Sequence, residues 1–330
     1  MTDPISIDDI RAAADRLKGA ARRTPLLEAD MLNTLAGRRV LVKAECLQRT
    51  GSFKFRGGWS ALSALSPEAR ARGVIAYSSG NHAQGVALAA KLHDAPAVIV
   101  MPSDAPEMKI ANTRGYGAEV VLYDRWGESR EEIGERLAND RGLTLIRPYD
   151  EPMVIAGQGT CGLEIAEQAA EAGVSEADVI VCCGGGGLTS GVSLALEAEA
   201  PGLRARPAEP HGYDDVARSL ASGAREKNAA NEASICDAIV TPTPGALTFP
   251  IMKARCGPGL VVTDEEARCA MATAWKHLKV VAEPGGAVAL AAVLFRREEI
   301  EGDAVICTIS GGNADPAIFR AALSDYGDAP

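Results

Sequence analysis

Aromatic residues are scarce in this chain of 330 residues: Phe, Trp and Tyr together make up 4%. Long apolar runs are missing as well. The longest, from Ala287 to Phe295, has nine residues, whereas a membrane-spanning helix needs about twenty. No membrane crossing is expected. The opening MTDPISIDDI places three Asp ahead of the first Arg and holds no apolar core, unlike a secretory leader. Histidine is rare, with only His82, His93, His211 and His277 and no H-x-x-x-H pair, which argues against a zinc hydrolase. No G-x-S-x-G elbow occurs, which argues against an α/β-hydrolase triad. Positive charge is in short supply: 34 Lys and Arg against 44 Asp and Glu give a net charge of −10. Without a basic cluster, nucleic acid is a poor partner. The eight Cys form no C-x-x-C pair. They read as small buried apolar residues in a reducing compartment, so the expected location is cytoplasmic.

What remains is an ordinary globular composition, 47% hydrophobic and 24% charged, long enough for one large or two moderate domains. Short β-branched runs recur at 74–77, 97–101, 119–122, 143–146, 179–183 and 304–309. Amphipathic segments alternate with them at 81–92, 128–139, 159–171, 188–198 and 264–279. Strand and helix in alternation predict an α/β fold with mainly parallel sheets flanked by helices. Uninterrupted runs such as VIVCC and AVIVM fit parallel strands covered on both faces. Residues 71–149 form a compact run of strand–helix units. They predict a small mobile domain beside a large one built from 1–70 and 150–330, with a cleft between the two. The polar stretch 222–233 reads as a surface loop.

Four segments carry chemistry. Gly184, Gly185, Gly186 and Gly187 run into Leu188 directly after VIVCC. Bare backbone N–H groups between a strand and a helix start make a phosphate cradle. The register is not a dinucleotide fingerprint, and no Lys follows to make a P-loop. In Ser52–Phe53–Lys54–Phe55–Arg56–Gly57–Gly58 a lysine lies between two aromatics. An apolar setting lowers its pKa and frees the amine to attack a carbonyl; the plainer alternative is a lysine stem passing two rings. Ser78–Ser79–Gly80–Asn81–His82 follows the strand VIAY. Taken alone its Ser and Asn side chains read as helix caps, and equally as a carboxylate site. Finally, Ser310–Gly311–Gly312–Asn313 ends the strand AVICTI, where ligands bind in open α/β sheets.

In this order and spacing the four motifs resemble the fold-type-II pyridoxal-phosphate enzymes (tryptophan synthase β-like, two-domain). They resemble in particular the serine/threonine dehydratase and serine racemase family, 3-hydroxyaspartate dehydratases included. The resemblance runs from Arg23–Thr24–Pro25 to Asn313. It implies pyridoxal 5′-phosphate as cofactor, carried by Lys54, which then serves as the base for the α-proton. It also implies Phe53 against the pyridine ring, Asn81 on the phenolic oxygen, Gly184 to Leu188 on the phosphate, and Ser310 at the ring nitrogen. A neutral hydroxyl there favours β-elimination over transamination. Ser78, Ser79, Asn81 and His82 would hold the substrate carboxylate, with Ser79 the second-face proton carrier of the racemases. The family's divalent-cation segment is similar to 209–215, implying Glu209, the Tyr213 carbonyl and Asp215 around Mg²⁺ (or Ca²⁺ or Mn²⁺). Two solvated acids at a helix start are the alternative.

The activity so implied is a dehydratase releasing a 2-oxo acid and ammonia from serine, threonine or 3-hydroxyaspartate, in a homodimer or higher homo-oligomer. A racemase or a β-replacement enzyme is the alternative. For a second substrate carboxylate, Arg130 and Arg147 are the candidates. Two departures from the family stand out: Trp59, expected to narrow the cleft, and Arg147–Pro148–Tyr149, where His–Pro is commoner.

Overall fold

The computed structural model describes residues 4–229 and 234–327. In chain order its strands are β1 (Leu26–Leu27), β2 (Arg39–Ala44), β3 (Val74–Tyr77), β4 (Ala97–Pro102), β5 (Glu119–Tyr123), β6 (Thr144–Leu145), β7 (Ala177–Cys182), β8 (Leu203–Pro210), β9 (Leu260–Val262) and β10 (Ala304–Ile309). They form a six-stranded sheet ordered β1-β2-β10-β7-β8-β9 and a four-stranded sheet ordered β5-β4-β3-β6. Every pairing is parallel except β1 with β2. This is the α/β architecture with mainly parallel sheets that the alternating pattern predicts. All four strands of the smaller sheet lie between residues 74 and 145.

Most elements fall where apolar periodicity puts them, and the departures have local causes. The helix expected over 159–171 begins earlier and runs Pro152–Glu171. The Glu151 carboxylate caps it by accepting the Met153 and Val154 N–H groups, and Pro152 suits the first turn. The helix expected over 264–279 stops at Thr273, and its last turn widens into a π-helix before Lys279 at φ 60°. Strand β8 escapes the pattern because Arg204 and Arg206 interrupt it. Both turn to Asp178 on the adjacent β7, Arg206 at 2.8 Å, so their charges are paired across the sheet. The loop read at 222–233 begins at left-handed Gly223; its last four residues, 230–233, lie outside the described residues.

The longest apolar run belongs to the helix Pro284–Phe295, which packs on β7, β8 and β10 in the main core. Among the described residues no helix is long and apolar enough to cross a membrane. The cysteines are all unpaired thiols, six buried and two half-buried. Trp59 does not narrow the cleft. Its indole turns toward the first helix, donates to the Arg16 carbonyl at 2.7 Å and stacks on His93.

Two close approaches fix the geometry that matters. The helix Lys54–Ser63 crosses the helix Asn81–Leu92 so tightly that a Cβ on Gly85 would stand 2.9 Å from the Lys54 carbonyl carbon. The loop after β10 is laced to the segment before Lys54: Phe53 N–H donates to the Ser310 carbonyl and Gly312 N–H to the Gly51 carbonyl. Lys54 is thereby held between the carboxyl ends of β3 and β10.

Candidate active site

One cavity, of about 120 Å³, collects most of the residues singled out in the sequence. Lys54 and Phe53 form one wall, Ser78 to His82 a second, and Gly184 to Leu188 a third. Ser310 is not among its lining residues, although Cys182 beside it is. The Ser310 backbone is fully engaged, its carbonyl by Phe53 and its N–H by Gly286.

Lys54 is half-buried at the cavity wall, with its ammonium 2.9 Å from the Pro148 carbonyl and 5.1 Å from the Phe53 ring centre. Burial lowers its pKa from 10.5 to about 8, while the more distant Glu283 opposes the shift. Phe55, by contrast, points into the core of the smaller sheet. Of the two phenylalanines that flank the lysine in sequence, only Phe53 lines the cavity.

The glycine loop explains its own composition. Gly186 sits at φ 91°, and a Cβ on Gly185 would lie 2.3 Å from the Tyr149 ring. Tyr149 therefore lies on this loop, which then opens the helix Gly187–Glu199 with no side chain as cap. Thr189, one turn in, buries a hydroxyl with no hydrogen-bond partner.

The helix Asn81–Leu92 overturns the capping expectation. Its N-cap is Gly80, and no side chain caps it. The Ser78 hydroxyl accepts the Gly80 N–H at 3.2 Å instead. The first N–H groups of this helix stay open toward the cavity. His82 differs from its expected role in one respect. Its Nε2 donates to the Ile146 carbonyl at 3.0 Å, and burial together with Lys54 lowers its pKa to about 3. The neutral ring then has no N–H left for a carboxylate, so the backbone amide is what His82 offers.

Asn81 is oriented from behind. Its carbonyl accepts from Asn313 at 2.8 Å, and its amide donates to Glu283 at 2.5 Å. Glu283 is buried, its other oxygen unpartnered, and burial raises its pKa to about 7. Sequence reading missed Glu283, because a single Glu before Pro284 looks like a helix-start acid. It also missed Lys109 and Asp237, both in the cavity wall, which carry no local signal. Of the two arginines suspected of substrate contact, Arg130 lines the cavity over the Tyr77 ring. Arg147 does not line it; it faces Glu135 at 3.9 Å.

The proposed cation ligands lie apart from this cavity. Glu209 is buried and accepts the Val216 and Ala217 N–H groups at 3.0 and 2.7 Å. Burial and then Asp215 push its pKa well above the usual carboxylate range. Asp215 is itself raised to about 6 by burial, with one oxygen on Asn228 and the other buried without a partner. The Tyr213 N–H donates to the Pro210 carbonyl. No group of three or more His, Cys, Asp or Glu poised for a metal occurs among the described residues.

A parallel α/β protein with a half-buried, weakly basic lysine facing a glycine cradle is built for a phosphorylated ligand that bears a carbonyl. The residues fit pyridoxal phosphate: a glycine-rich, uncapped helix start in the cavity wall, a buried Thr189 hydroxyl without a hydrogen-bond partner, and an amine whose basicity desolvation lowers. The chain belongs to the family described as pyridoxal-phosphate dependent enzymes, whose profile matches residues 17–312. It is 42% identical over 323 residues to the L-threo-3-hydroxyaspartate ammonia-lyase of Saccharomyces cerevisiae, covering 98% of this chain and 97% of that one. It is 40% identical to the serine racemase of Schizosaccharomyces pombe, covering 93% and 94%. Among solved structures it is similar to the serine racemase of Dictyostelium discoideum, with a TM-score of 0.87, 38% identity, and coverage of 94% and 99%.

Proposed function

We propose that this chain is a pyridoxal-phosphate-dependent dehydratase. It removes water from a small 3-hydroxy amino acid and releases a 2-oxo acid and ammonia. The observation that carries the reading is Lys54, an amine in the cavity wall with its pKa lowered to about 8 by desolvation, opposite an uncapped helix start. The N–H groups of Gly184 to Leu188 hold the phosphate, and those at Asn81 and His82 hold the substrate carboxylate. When bound, the cofactor stabilises the negative charge left on the α-carbon. Lys54 would hold it, and its freed amine would take the α-proton from one face. Phe53 would lie against the ring, and Asn81, held by Glu283 and Asn313, would meet its phenolic oxygen. Ser310, beside Cys182 and outside the cavity's lining, would have to turn its hydroxyl inward to meet the ring nitrogen.

L-threo-3-Hydroxyaspartate is the substrate we favour, as in the name of the yeast relative, with serine and threonine next. Ammonia release from a panel of L- and D-3-hydroxy amino acids tests this directly. No release from any of them would overturn the dehydratase.

The Ser79 hydroxyl in the cavity wall supports a second reading, racemisation from the opposite face. Ser79→Ala is expected to suppress inversion by about 10²–10⁴-fold and to lower dehydration of the preferred enantiomer less. Equal loss of both activities would make Ser79 a substrate contact only.

Residues 71–149 are, in this reading, a small mobile domain that closes over the substrate; their separate sheet supports it. Glu209, the Tyr213 carbonyl and Asp215 hold Mg²⁺ or a similar divalent ion. Two buried acids with raised pKa, one oxygen unpartnered, are the support. EDTA is expected to lower the melting temperature while the visible absorbance of the cofactor persists. An unchanged melting curve with no metal by elemental analysis would remove the ion. The eight free thiols support a cytoplasmic location. Exposed Met31, Leu47, Trp275 and Val281 support a homo-oligomer.

A further inference from the structure

Lys109 and Asp237 form an ion pair across the cavity from opposite sides. Lys109 stands on the helix Glu107–Gly115 that follows β4 of the smaller sheet. Asp237 stands on the irregular segment 234–247, before β9 of the larger one. Their charged atoms are 2.8 Å apart, and both side chains line the cavity. The partners are unequal. The Lys109 side chain is 9% exposed, whereas that of Asp237 is 51% exposed. The ammonium also lies 3.5 Å from where a Cβ on Gly80 would stand. It is therefore a nearly buried cation touching the loop assigned above to the substrate carboxylate.

Such a cation needs an anion beside it, because an unpaired buried ammonium is expensive. Asp237 meets that need from a position half in water, so its release costs little solvation. A carboxylate arriving with the substrate, in turn, needs a cation. Exchanging one for the other keeps the charge balanced inside the cavity. Apart from Lys54, assigned above to the cofactor, Arg130 is the other basic group in the wall, but it lies over Tyr77 with its Nε on Glu131 at 2.8 Å.

We propose that Lys109 is the specificity-determining cation for a second carboxylate on the substrate. Asp237 is the internal carboxylate that holds its place until a dicarboxylic amino acid displaces it. The inference rests on the hydroxy-amino-acid dehydratase reading and deepens it. With serine or threonine Asp237 stays on Lys109; with 3-hydroxyaspartate it swings out.

The test compares ligands that differ by that carboxylate. L-Aspartate and L-alanine lack the leaving hydroxyl, so their affinities for the holoenzyme are measured by titration. The kcat/KM values for L-threo-3-hydroxyaspartate and L-serine are measured beside them. In Lys109→Met the aspartate-to-alanine affinity ratio is expected to fall at least about tenfold, and the hydroxyaspartate-to-serine ratio to fall with it. In Asp237→Asn the aspartate ratio should rise, since the internal competitor has lost its charge. Ratios unchanged in both variants would overturn the proposal, making the pair a structural tie. So would a fall in Arg130→Met alone, which would hand the role to Arg130. A wild-type enzyme that releases no ammonia would sink the dehydratase, and the aspartate and alanine titrations would still decide the role of Lys109.

Discussion

Lys54 and Arg56 stand two residues apart on one helix, Lys54 half-buried at the cavity wall and Arg56 fully buried, and their surroundings are opposite. Arg56 reaches away from the cavity into an ionic cluster. It donates to both oxygens of Glu45 at 2.7 and 2.8 Å and to both of Glu164 at the same distances. Lys43 completes the cluster on Glu164, Gln168 and the Thr24 carbonyl. Burial opposes charge on Arg56, but Glu45 and Glu164 outweigh it and raise its pKa well above the usual arginine value. At Lys54 burial wins, because one neutral carbonyl and a distant carboxylate are all that oppose it. Desolvation at both sites thus leaves a permanent ion where partners are plentiful and a titratable amine where they are few. The same contrast separates the two cavities. The one over Arg56 and Glu164 is larger, about 650 Å³, yet the charges of Lys18, Arg23, Arg56 and Glu199 in its wall are already paired with protein. Reactivity follows the shortage of partners, not the volume.

The sharpest way to break this comparison is to remove each residue in turn. Lys54→Ala is expected to lower ammonia release by about 10⁴-fold or more while circular dichroism stays native. Wild-type turnover in that variant would refute the assignment of Lys54. Arg56→Met should do the reverse, costing about 3–5 kcal/mol in urea unfolding, because Glu45 and Glu164 would keep buried charge without its partner. Arg56→Lys, which keeps the charge but loses the bidentate fork, should fall between. A stability change within about 0.5 kcal/mol, the usual scatter for surface substitutions, would mean that the cluster is solvated and the contrast false.

The sequence made one half of this contrast legible. Lys54 stood out because Phe and Gly surround it, and the glycine loop because four glycines follow a buried strand. The two sheets could be read because parallel strands covered on both faces are uninterrupted apolar runs. Arg56 gave no sign of its burial, since its anions come from Glu45 on the chain before it and Glu164 more than a hundred residues later. Glu283, Lys109 and Asp237 were hidden for the same reason, each defined by a contact between distant segments. The tie of the His82 imidazole to the Ile146 carbonyl is hidden likewise, because that carbonyl belongs to another connection of the same sheet. Local chemistry shows in local sequence, and pairing across the fold does not.

The smallest effect isolates the price of keeping Lys54 short of partners, and its sign is fixed by linkage. In the cofactor-free protein the folded pKa of Lys54 is about 8 and its ordinary value is 10.5. Below pH 8 both folded and unfolded chains hold the proton, so the folded state bears the full cost of a buried ammonium. Between pH 8 and 10.5 the folded chain has lost the proton and the unfolded chain has kept it. Stability from this group therefore rises with pH, at up to about 1.4 kcal/mol per unit. Above pH 10.5 both forms are neutral and the cost is gone. Lys54→Met keeps the apolar stem and removes the titration. The variant is then expected to exceed the wild type by about 3 kcal/mol near pH 7, an advantage that shrinks through pH 9 and levels off near pH 11. Urea unfolding of both apo-proteins at several pH values measures the difference, and groups common to both cancel. A difference independent of pH would mean that Lys54 keeps its ordinary basicity, and burial would no longer explain why this lysine, and not Arg56, is the reactive one.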